Sequence, residues 1–529
     1  MEKREKTNDI MQGALLLTVA GIVGKILSAT YRIPLQNLTG DMGYYIYQQV
    51  YPLIGIGMIL ALYGFPQAVS KLTAERKKLG LSNTIQQFYL PVVLILFGLN
   101  IIFAIILYSI APVLANWADD LKLVNTYKMA AGLFLVIPFL SALRGFYQGN
   151  GRMLPTAVSQ VVEQIVRVSI IIVSAYCIYT SRFDVYTIGQ AGVLATITGM
   201  ILAIFGWGFF LNRKEKTVIQ EKVSDIPWGY YIRTCFSVGI IAAMGHFILL
   251  LLQVIDMLTI VPGLVSAGVN EQVAMESKGI FDRGQPLIQF GAVIGSSFAL
   301  ALVPSVVHGT KDNAQTIREG LQFGFYLAGA AALGLILLMP EVNRLLFKTA
   351  DGTMSLRILM LAVVLTALLI TVASILQNMG YVYLVACCII LAVAVKWLFN
   401  WMFIPPFHLI GSAMGTVISL CFLLGTLLSL LHRKVQGLNW FSRKHIVSFT
   451  VASSMMTGFV LLLQGIVPTE SLSRTGLLLF VMGVAMSGAI IYLVILIKLK
   501  VFSNQQLKSL PFGYKLIAVS EWMNQEKRG

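Results

Sequence analysis

Residues Gln12–Arg32 read QGALLLTVAGIVGKILSATYR, and this stretch is long enough to cross a membrane as a single helix. At 1.5 Å per residue it extends about 30 Å, the thickness of a hydrocarbon core. Lys25 lies deep within it, and Arg32 follows two helical turns later, so both cations share one helix face. A cation near mid-bilayer costs about 2.5–3.5 kcal/mol on insertion scales and usually faces a cavity. The stretch therefore predicts a membrane helix with a cationic functional face, although snorkelling to the headgroups also explains Arg32.

The composition extends this prediction to the whole chain. Of 529 residues, 57% are hydrophobic and 12% are charged, and the mean hydropathy is +0.80. These values exclude an ordinary soluble protein. The net charge of +16 is explained by cytoplasmic loops and anionic headgroups, so no nucleic-acid partner is expected. The five cysteines lie in apolar runs without CxxC spacing, which predicts neither disulfides nor a metal or other cofactor.

Hydropathy predicts fourteen membrane spans and hence an all-α polytopic membrane protein. The spans cover residues 12–32, 47–69, 87–111, 123–143, 156–180, 188–211, 232–255, 284–307, 321–340, 356–377, 380–403, 408–431, 446–467 and 475–498. With the N-terminus in the cytoplasm, the cytoplasmic side carries 25 lysines and arginines, and the opposite side carries six. Because cytoplasmic loops are enriched in these residues, both termini are predicted to be cytoplasmic.

An internal repeat relates span 2 to span 8. An aromatic residue, Tyr47 or Phe281, is followed five residues later by Pro-Leu-Ile, at Pro52 or Pro286. Both spans run from outside to inside, so the repeat is parallel and sets spans 1–6 against spans 7–12. The predicted domains are an N-terminal lobe 1–211, a linker 212–228, a C-terminal lobe 229–431, and spans 13–14 with a cytoplasmic tail, 432–529.

Charged residues at the start of span 8 complete the predicted binding site. Asp282 and Arg283 are adjacent, so on a helix they point about 100° apart. By the repeat, Arg283 faces Lys25 and Arg32 across the interface between the halves. Three cations around one cavity favour a multivalent anion such as phosphate or pyrophosphate. The alternative for Arg283 is an anchor at the outer membrane interface.

Other charges within the spans have two readings each. Glu163 and Arg167 stand at i, i+4 and either pair with each other, which is favoured, or contact substrate. Lys396 is either functional or snorkels beside two tryptophans. Asp256 is a possible cation or proton site, but its position near the outer end of span 7 favours solvation. The chain has no GxxxxGK[ST] loop and only short outer loops, so neither nucleotide-driven pumping nor an enzyme is expected.

Two stretches resemble a known family. The first begins at Lys25, continues through Tyr31-Arg32-Ile33-Pro34-Leu35-Gln36-Asn37 and ends at Gly40-Asp41-Met42-Gly43. The second begins with Arg144-Gly145-Phe146-Tyr147-Gln148-Gly149 and runs to Gln164. They resemble the stage V sporulation protein B group of the multidrug/oligosaccharidyl-lipid/polysaccharide exporter superfamily, of which the flippase MurJ is a more distant member.

The resemblance implies a flippase that translocates an undecaprenyl-pyrophosphate-linked oligosaccharide or cell-wall precursor across the bacterial cytoplasmic membrane by alternating access. The site residues implied by MurJ-like proteins are Lys25, Arg32, Asp282 and Arg283. Glu163, Arg167 and Lys396 are secondary candidates because of their charge within the spans, and the resemblance does not imply them. The partners implied are the lipid-linked glycan, the bilayer, and either a coupling cation or the membrane potential. The protein itself is expected to be a monomer. MurJ-like proteins carry a span-2 arginine that residues 60–68 lack. A cation-coupled multidrug exporter and a non-transporting scaffold for envelope assembly remain the alternatives.

Overall fold

The computed structural model of the chain describes residues 19–24, 26–81, 85–206, 226–307, 313–435 and 443–502. Within these ranges the secondary structure is helical and no strand occurs. Eleven helices in the described ranges are long and apolar enough to cross a membrane. The all-α polytopic fold class is therefore confirmed.

The helices follow the predicted spans closely. Residues 19–30 are helical on both sides of position 25. The α-helices after them are α1 Arg32–Ile59, α2 Phe65–Lys78, α3 Leu90–Trp117, α4 Val124–Ala131, α5 Leu133–Gly149, α6 Leu154–Tyr179, α7 Thr187–Gly206, α8 Trp228–Ser266, α9 Glu271–Asp282, α10 Gly284–Val307, α11 Asn313–Leu337, α12 Met339–Phe347, α13 Thr353–Leu359, α14 Leu361–Asn378, α15 Val382–Lys434, α16 Arg443–Ile466 and α17 Arg474–Lys498. Each of the fourteen predicted spans has helical residues in the described ranges.

Two of the eleven membrane helices each contain two predicted spans. Val19–Lys78 runs over 60 residues and bends at Gly40, whose φ is 69°. α15 has 53 residues, about 80 Å if straight, which is far longer than a bilayer is thick. It breaks at His408, with a φ of 51°, directly after Pro405 and Pro406. Proline removes the backbone donor that would continue the helix, so this break lies where the predicted spans 11 and 12 meet.

The chain divides into two compact units. The first comprises Met1–Asp282 with Ile389–Ser412, and the second comprises Arg283–Cys388 with Ala413–Gly529. Helices α8 and α9, predicted to open the C-terminal lobe, are thus grouped with the first unit. The predicted lobes stay a prediction, as does the linker 212–228, most of which lies outside the described residues.

A short helix between spans 7 and 8 was not predicted. The predicted spans 232–255 and 284–307 leave the residues between them as a connection, yet α8 continues to Ser266 and α9 begins at Glu271. Gly279 of α9 packs directly on α1, where an added Cβ would stand 2.2 Å from the carbonyl oxygen of Asp41. Only glycine permits this approach. The contact places the end of α9, with Lys278 and Asp282, against the beginning of α1.

Candidate functional site

Arg32 lies at the start of α1 and is completely buried. Its guanidinium carbon lies 4.1 Å from the centre of the Tyr51 ring, which is a cation–π contact. All three guanidinium nitrogens lack a hydrogen-bond partner among the described residues. The hydroxyl-bearing rings of Tyr31, Tyr44 and Tyr47 are close enough to interact electrostatically with it. A buried guanidinium without a hydrogen-bond partner is costly, and its complete burial inside the protein contradicts the snorkelling explanation.

The other predicted site residues that the structure describes have hydrogen-bond or ionic partners, unlike Arg32. Lys25 lies outside the described residues. Asp282 ends α9 and forms a buried ion pair with Lys278, one helical turn before it. Burial raises the pKa of the Asp282 carboxyl to about 6, against the opposing effect of the Lys278 ammonium. The backbone carbonyl oxygen of Asp282 also accepts a hydrogen bond from the Tyr44 hydroxyl at 3.3 Å.

Arg283 belongs to the second unit and is also completely buried. Its Nη1 donates hydrogen bonds to Asn343 Oδ1 at 3.2 Å and to Thr349 Oγ1 at 2.9 Å. Its guanidinium also lies 5.5 Å from the centre of the Phe347 ring. These contacts hold the side chain against α12, which the sequence did not predict as a separate helix. A shared cavity of Arg283 with Lys25 and Arg32 stays a prediction.

Glu163 on α6 is the centre of a buried network in the first unit. It accepts a hydrogen bond from Arg144 Nη2 at 2.8 Å and lies 3.6 Å from Arg167 Nη1. The favoured pairing of Glu163 with Arg167 is therefore present. Arg144 was not predicted as its partner, although its sequence motif had already been singled out. Its other donors bind Ser159 Oγ at 3.0 Å and the carbonyl oxygen of Ala61 at 3.2 Å.

The carbonyl of Ala61 belongs to a π-helical turn, Leu60–Gly64, between α1 and α2. Such a turn disturbs the regular i→i−4 hydrogen bonding of an α-helix and is frequent at functional sites. Arg144 satisfies this carbonyl from α5, so the same guanidinium joins span 2, span 4 and the carboxylate on span 5. The network thus fixes the middle of span 2, where the sequence carries no charge.

A second buried network joins α8 to the segment Ile389–Ser412 of α15, also within the first unit. Asp256 Oδ2 accepts a hydrogen bond from Lys396 Nζ at 2.6 Å. Asp256 Oδ1 accepts from Asn400 Nδ2 and Ser412 Oγ, each at 3.1 Å. Both charged side chains are at most 2% exposed. The expectation of a solvated Asp256 is therefore wrong, and so is the snorkelling explanation for Lys396.

The part of the chain that the structure describes contains no group of three or more histidine, cysteine, aspartate or glutamate side chains that could hold a metal ion. Glu163, Asp256 and Asp282 each lie in a buried ion pair, Arg283 binds neutral acceptors, and Arg32 has no hydrogen-bond partner among the described residues. This arrangement suits the recognition of an anion inside a membrane protein, because Arg32 retains donors for one.

Comparison with known proteins shows the family to which this chain belongs. The family model described as polysaccharide biosynthesis protein matches residues 10–310, more than half of the chain. The chain belongs to the polysaccharide biosynthesis protein family. Among relatives in this group, it is 31% identical to the uncharacterized membrane protein YabM of Bacillus subtilis, over 97% of this chain and 96% of YabM.

Two further comparisons agree with this family. The chain is 25% identical to stage V sporulation protein B of Bacillus subtilis, over 66% of this chain and 69% of that protein. Its fold is similar to that of a solved structure described as lipid II flippase MurJ, inward closed conformation, with a TM-score of 0.68, 12% identity, and coverage of 91% of this chain and 98% of that chain. The resemblance based on the residues after Lys25 and Arg144 is therefore confirmed, and this member of the family is a multi-pass membrane protein.

Proposed function

We propose that this chain is a flippase that carries an undecaprenyl-pyrophosphate-linked oligosaccharide or cell-wall precursor across the bacterial cytoplasmic membrane. It works as a monomer by alternating access, and both termini are cytoplasmic. The sugar–pyrophosphate head enters the cationic interior while the polyprenyl tail stays in lipid. The names of the relatives support this class of substrate, since MurJ is described as a lipid II flippase.

The observation that carries the proposal is the state of Arg32. Its three buried guanidinium nitrogens lack a hydrogen-bond partner among the described residues, and because the group stays charged this environment favours binding of an anion. A pyrophosphate offers several oxygens to one guanidinium and gains charge-assisted hydrogen bonds there. We propose Lys25 as the second phosphate-binding cation, because it stands two helical turns before Arg32. Asp282 and Arg283 remain proposed members of the same site.

The buried carboxylates disfavour the multidrug alternative. A carrier of cationic drugs needs an intramembrane carboxylate that is available to its substrate. In the parts of the spans that the structure describes, Glu163 is neutralised by Arg144 and Asp256 is neutralised by Lys396. The one buried charged side chain without a hydrogen-bond partner there is the cation Arg32. The charge of Arg32 therefore favours an anionic head group.

Reconstitution tests the proposal directly. Purified protein in vesicles should move a labelled undecaprenyl-pyrophosphate sugar between leaflets, whereas protein-free vesicles should not. Lys25→Arg keeps the point charge and should retain substantial transport, but Lys25→Gln should lose most of it. Glu341→Gln, at a buried carboxylate on α12, is the matched control and should transport like the wild type. Equal transport by Lys25→Gln and the wild type would exclude an anion contact at Lys25.

Failure of the wild type to move any lipid-linked sugar would refute the flippase itself. Transport of a lipophilic cation in the same vesicles would instead establish the multidrug alternative. Growth complementation at matched membrane abundance provides the corresponding measurement in cells. There, Lys25→Gln should fail and Lys25→Arg should succeed.

A further inference from the structure

Two glutamine side chains of α1 carry buried acceptors that an anion site alone leaves unexplained. The Oε1 atoms of Gln36 and Gln48 are buried and have no hydrogen-bond partner among the described residues. The two residues are 5% and 4% exposed. A buried amide oxygen without a donor destabilises the folded protein, just as a buried donor without an acceptor does. The two acceptors therefore favour a ligand that carries O–H or N–H groups.

Helix geometry places both acceptors near Arg32. Gln36 follows Arg32 by four residues, so their side chains share one face of the first part of α1, before its bend. After the bend, Tyr44 and Tyr51 both interact with the guanidinium of Arg32. Gln48 lies four residues after Tyr44 and three before Tyr51, hence on the same face. Cβ atoms with these spacings are about 5–6 Å apart, so donors and acceptors cluster at one place in the first unit.

The orientation of the Gln36 amide is fixed by a carboxylate. Its Nε2 donates a hydrogen bond to Asp41 Oδ1 at 3.0 Å. A carboxylate only accepts hydrogen bonds, so the amide nitrogen must face Asp41 and the amide oxygen must point away from it. The contact spans the bend at Gly40, whose φ of 69° suits glycine. Asp41 thus presents the acceptor of Gln36 in one direction.

A doubly esterified pyrophosphate satisfies only part of this cluster. Its oxygens accept hydrogen bonds from the three guanidinium nitrogens of Arg32, but it has no proton to donate to an amide oxygen. A sugar joined to the phosphate does have such protons, on its hydroxyls and on the N–H of an acetamido group. The substituent on the neighbouring ring carbon lies closest to the phosphate. The mixture of donors and acceptors therefore matches a glycosyl pyrophosphate better than pyrophosphate alone.

A buried amide elsewhere in the first unit has different surroundings. Asn100 on α3 is completely buried, and its Oδ1 also has no hydrogen-bond partner in the part of the chain that the structure describes. Its Nδ2 donates to the carbonyl of Leu96, one turn earlier in the same helix. Asn100 is thus bonded within its own helix, whereas Gln36 and Gln48 are grouped with a buried cation. Asn100 is therefore a matched control outside the cluster.

We propose that Gln36 and Gln48 recognise the sugar that is joined directly to the pyrophosphate. They accept hydrogen bonds from its hydroxyl or acetamido N–H groups while Arg32 binds the phosphate. This inference rests on the proposed flippase function and narrows its substrate to glycosyl pyrophosphates. A site built to hydrogen-bond a hydroxyl discriminates against a ligand that lacks it, because its own polar groups then stay buried without partners. A lipid pyrophosphate without a sugar is therefore a poor ligand.

Binding of two detergent-soluble lipids to the purified protein tests this assignment. One is farnesyl pyrophosphate joined to N-acetylglucosamine, and the other carries a methyl group in place of the sugar, so both have the same charge. An unmatched buried acceptor weakens binding about tenfold, so the wild type should prefer the glycosylated lipid about a hundredfold. Gln36→Met and Gln48→Met should each lower this preference about tenfold and should bind the methyl lipid at least as tightly as the wild type.

The control Asn100→Leu should keep the preference of the wild type. Equal affinities of the wild type for the two lipids overturn the proposal, and this comparison does not depend on the folding of any variant. A preference that is unchanged in both Gln36→Met and Gln48→Met also overturns it.

Transport separates the sugar contacts from the flippase function. At lipid concentrations below the Kd, vesicles with the wild type should move the glycosylated lipid between leaflets faster than the methyl lipid. The double variant Gln36→Met/Gln48→Met should move both at similar rates. Preferential binding without transport of either lipid supports the sugar contacts and refutes only the flippase function. Transport of both lipids at equal rates by the wild type keeps the flippase function and overturns the sugar contacts.

Discussion

Replacing Arg32 by methionine should make the ligand-free protein more stable while it abolishes transport. A buried donor without a partner costs about 1–3 kcal/mol, so three such nitrogens cost at least about 3 kcal/mol. The cation–π contact with Tyr51 offsets this cost by up to about 2 kcal/mol of stabilisation. Methionine keeps much of the apolar length of the side chain and removes the donors. We therefore expect Arg32→Met to raise the free energy of unfolding by about 1–3 kcal/mol.

Denaturant unfolding of the purified protein in detergent measures this change. Arg144→Met is the matched control, since Arg144 is an equally buried arginine whose donors bind Ser159, Ala61 and Glu163. That variant should lose about 3–5 kcal/mol, because Glu163 is left with the more distant Arg167. Pyrophosphate at about 100 times its Kd should stabilise the wild type by about 2.7 kcal/mol and leave Arg32→Met unchanged. Arg32→Met with reduced stability and normal transport would refute the assignment of Arg32 to an anion site.

Two further variants test the packing of α9 on α1 and the burial of Asp120. Gly279→Ala should lower the free energy of unfolding by about 1–3 kcal/mol, because its Cβ would meet the Asp41 carbonyl, whereas Gly98→Ala, in open space, should change it little. Unchanged stability of Gly279→Ala would contradict the close packing of α9 on α1. Burial raises the pKa of Asp120, whose carboxylate accepts a hydrogen bond from Tyr186. A raised pKa means that the folded state binds the proton more tightly than the unfolded state does. Relative to Asp120→Asn, the wild type should therefore become more stable as the pH falls toward 3.8. This added stability should be lost as the pH rises through the raised pKa of the folded state. A stability difference that is the same at every pH would contradict a buried Asp120.

The sequence by itself determined the membrane architecture. Whether a segment crosses a bilayer depends on about twenty neighbouring residues, so hydropathy is a local property that can be read along the chain. The fourteen predicted spans consequently have helices in the described residues, although α15 joins two of them across the break after Pro405 and Pro406. Local spacing also indicated the pairing of Glu163 with Arg167, which are one helical turn apart.

The partners of the buried charges were decided only by the tertiary structure. Lys396 lies 140 positions after Asp256, and no periodicity in the sequence relates two residues so far apart. An isolated charge in a span has the same hydropathy whether it is solvated, paired or left for a ligand, and these three states differ only in what the neighbouring helices bring to it. Packing therefore satisfied Asp256 and Glu163 within the protein, and among the residues that the structure describes it left Arg32 buried without a hydrogen-bond partner.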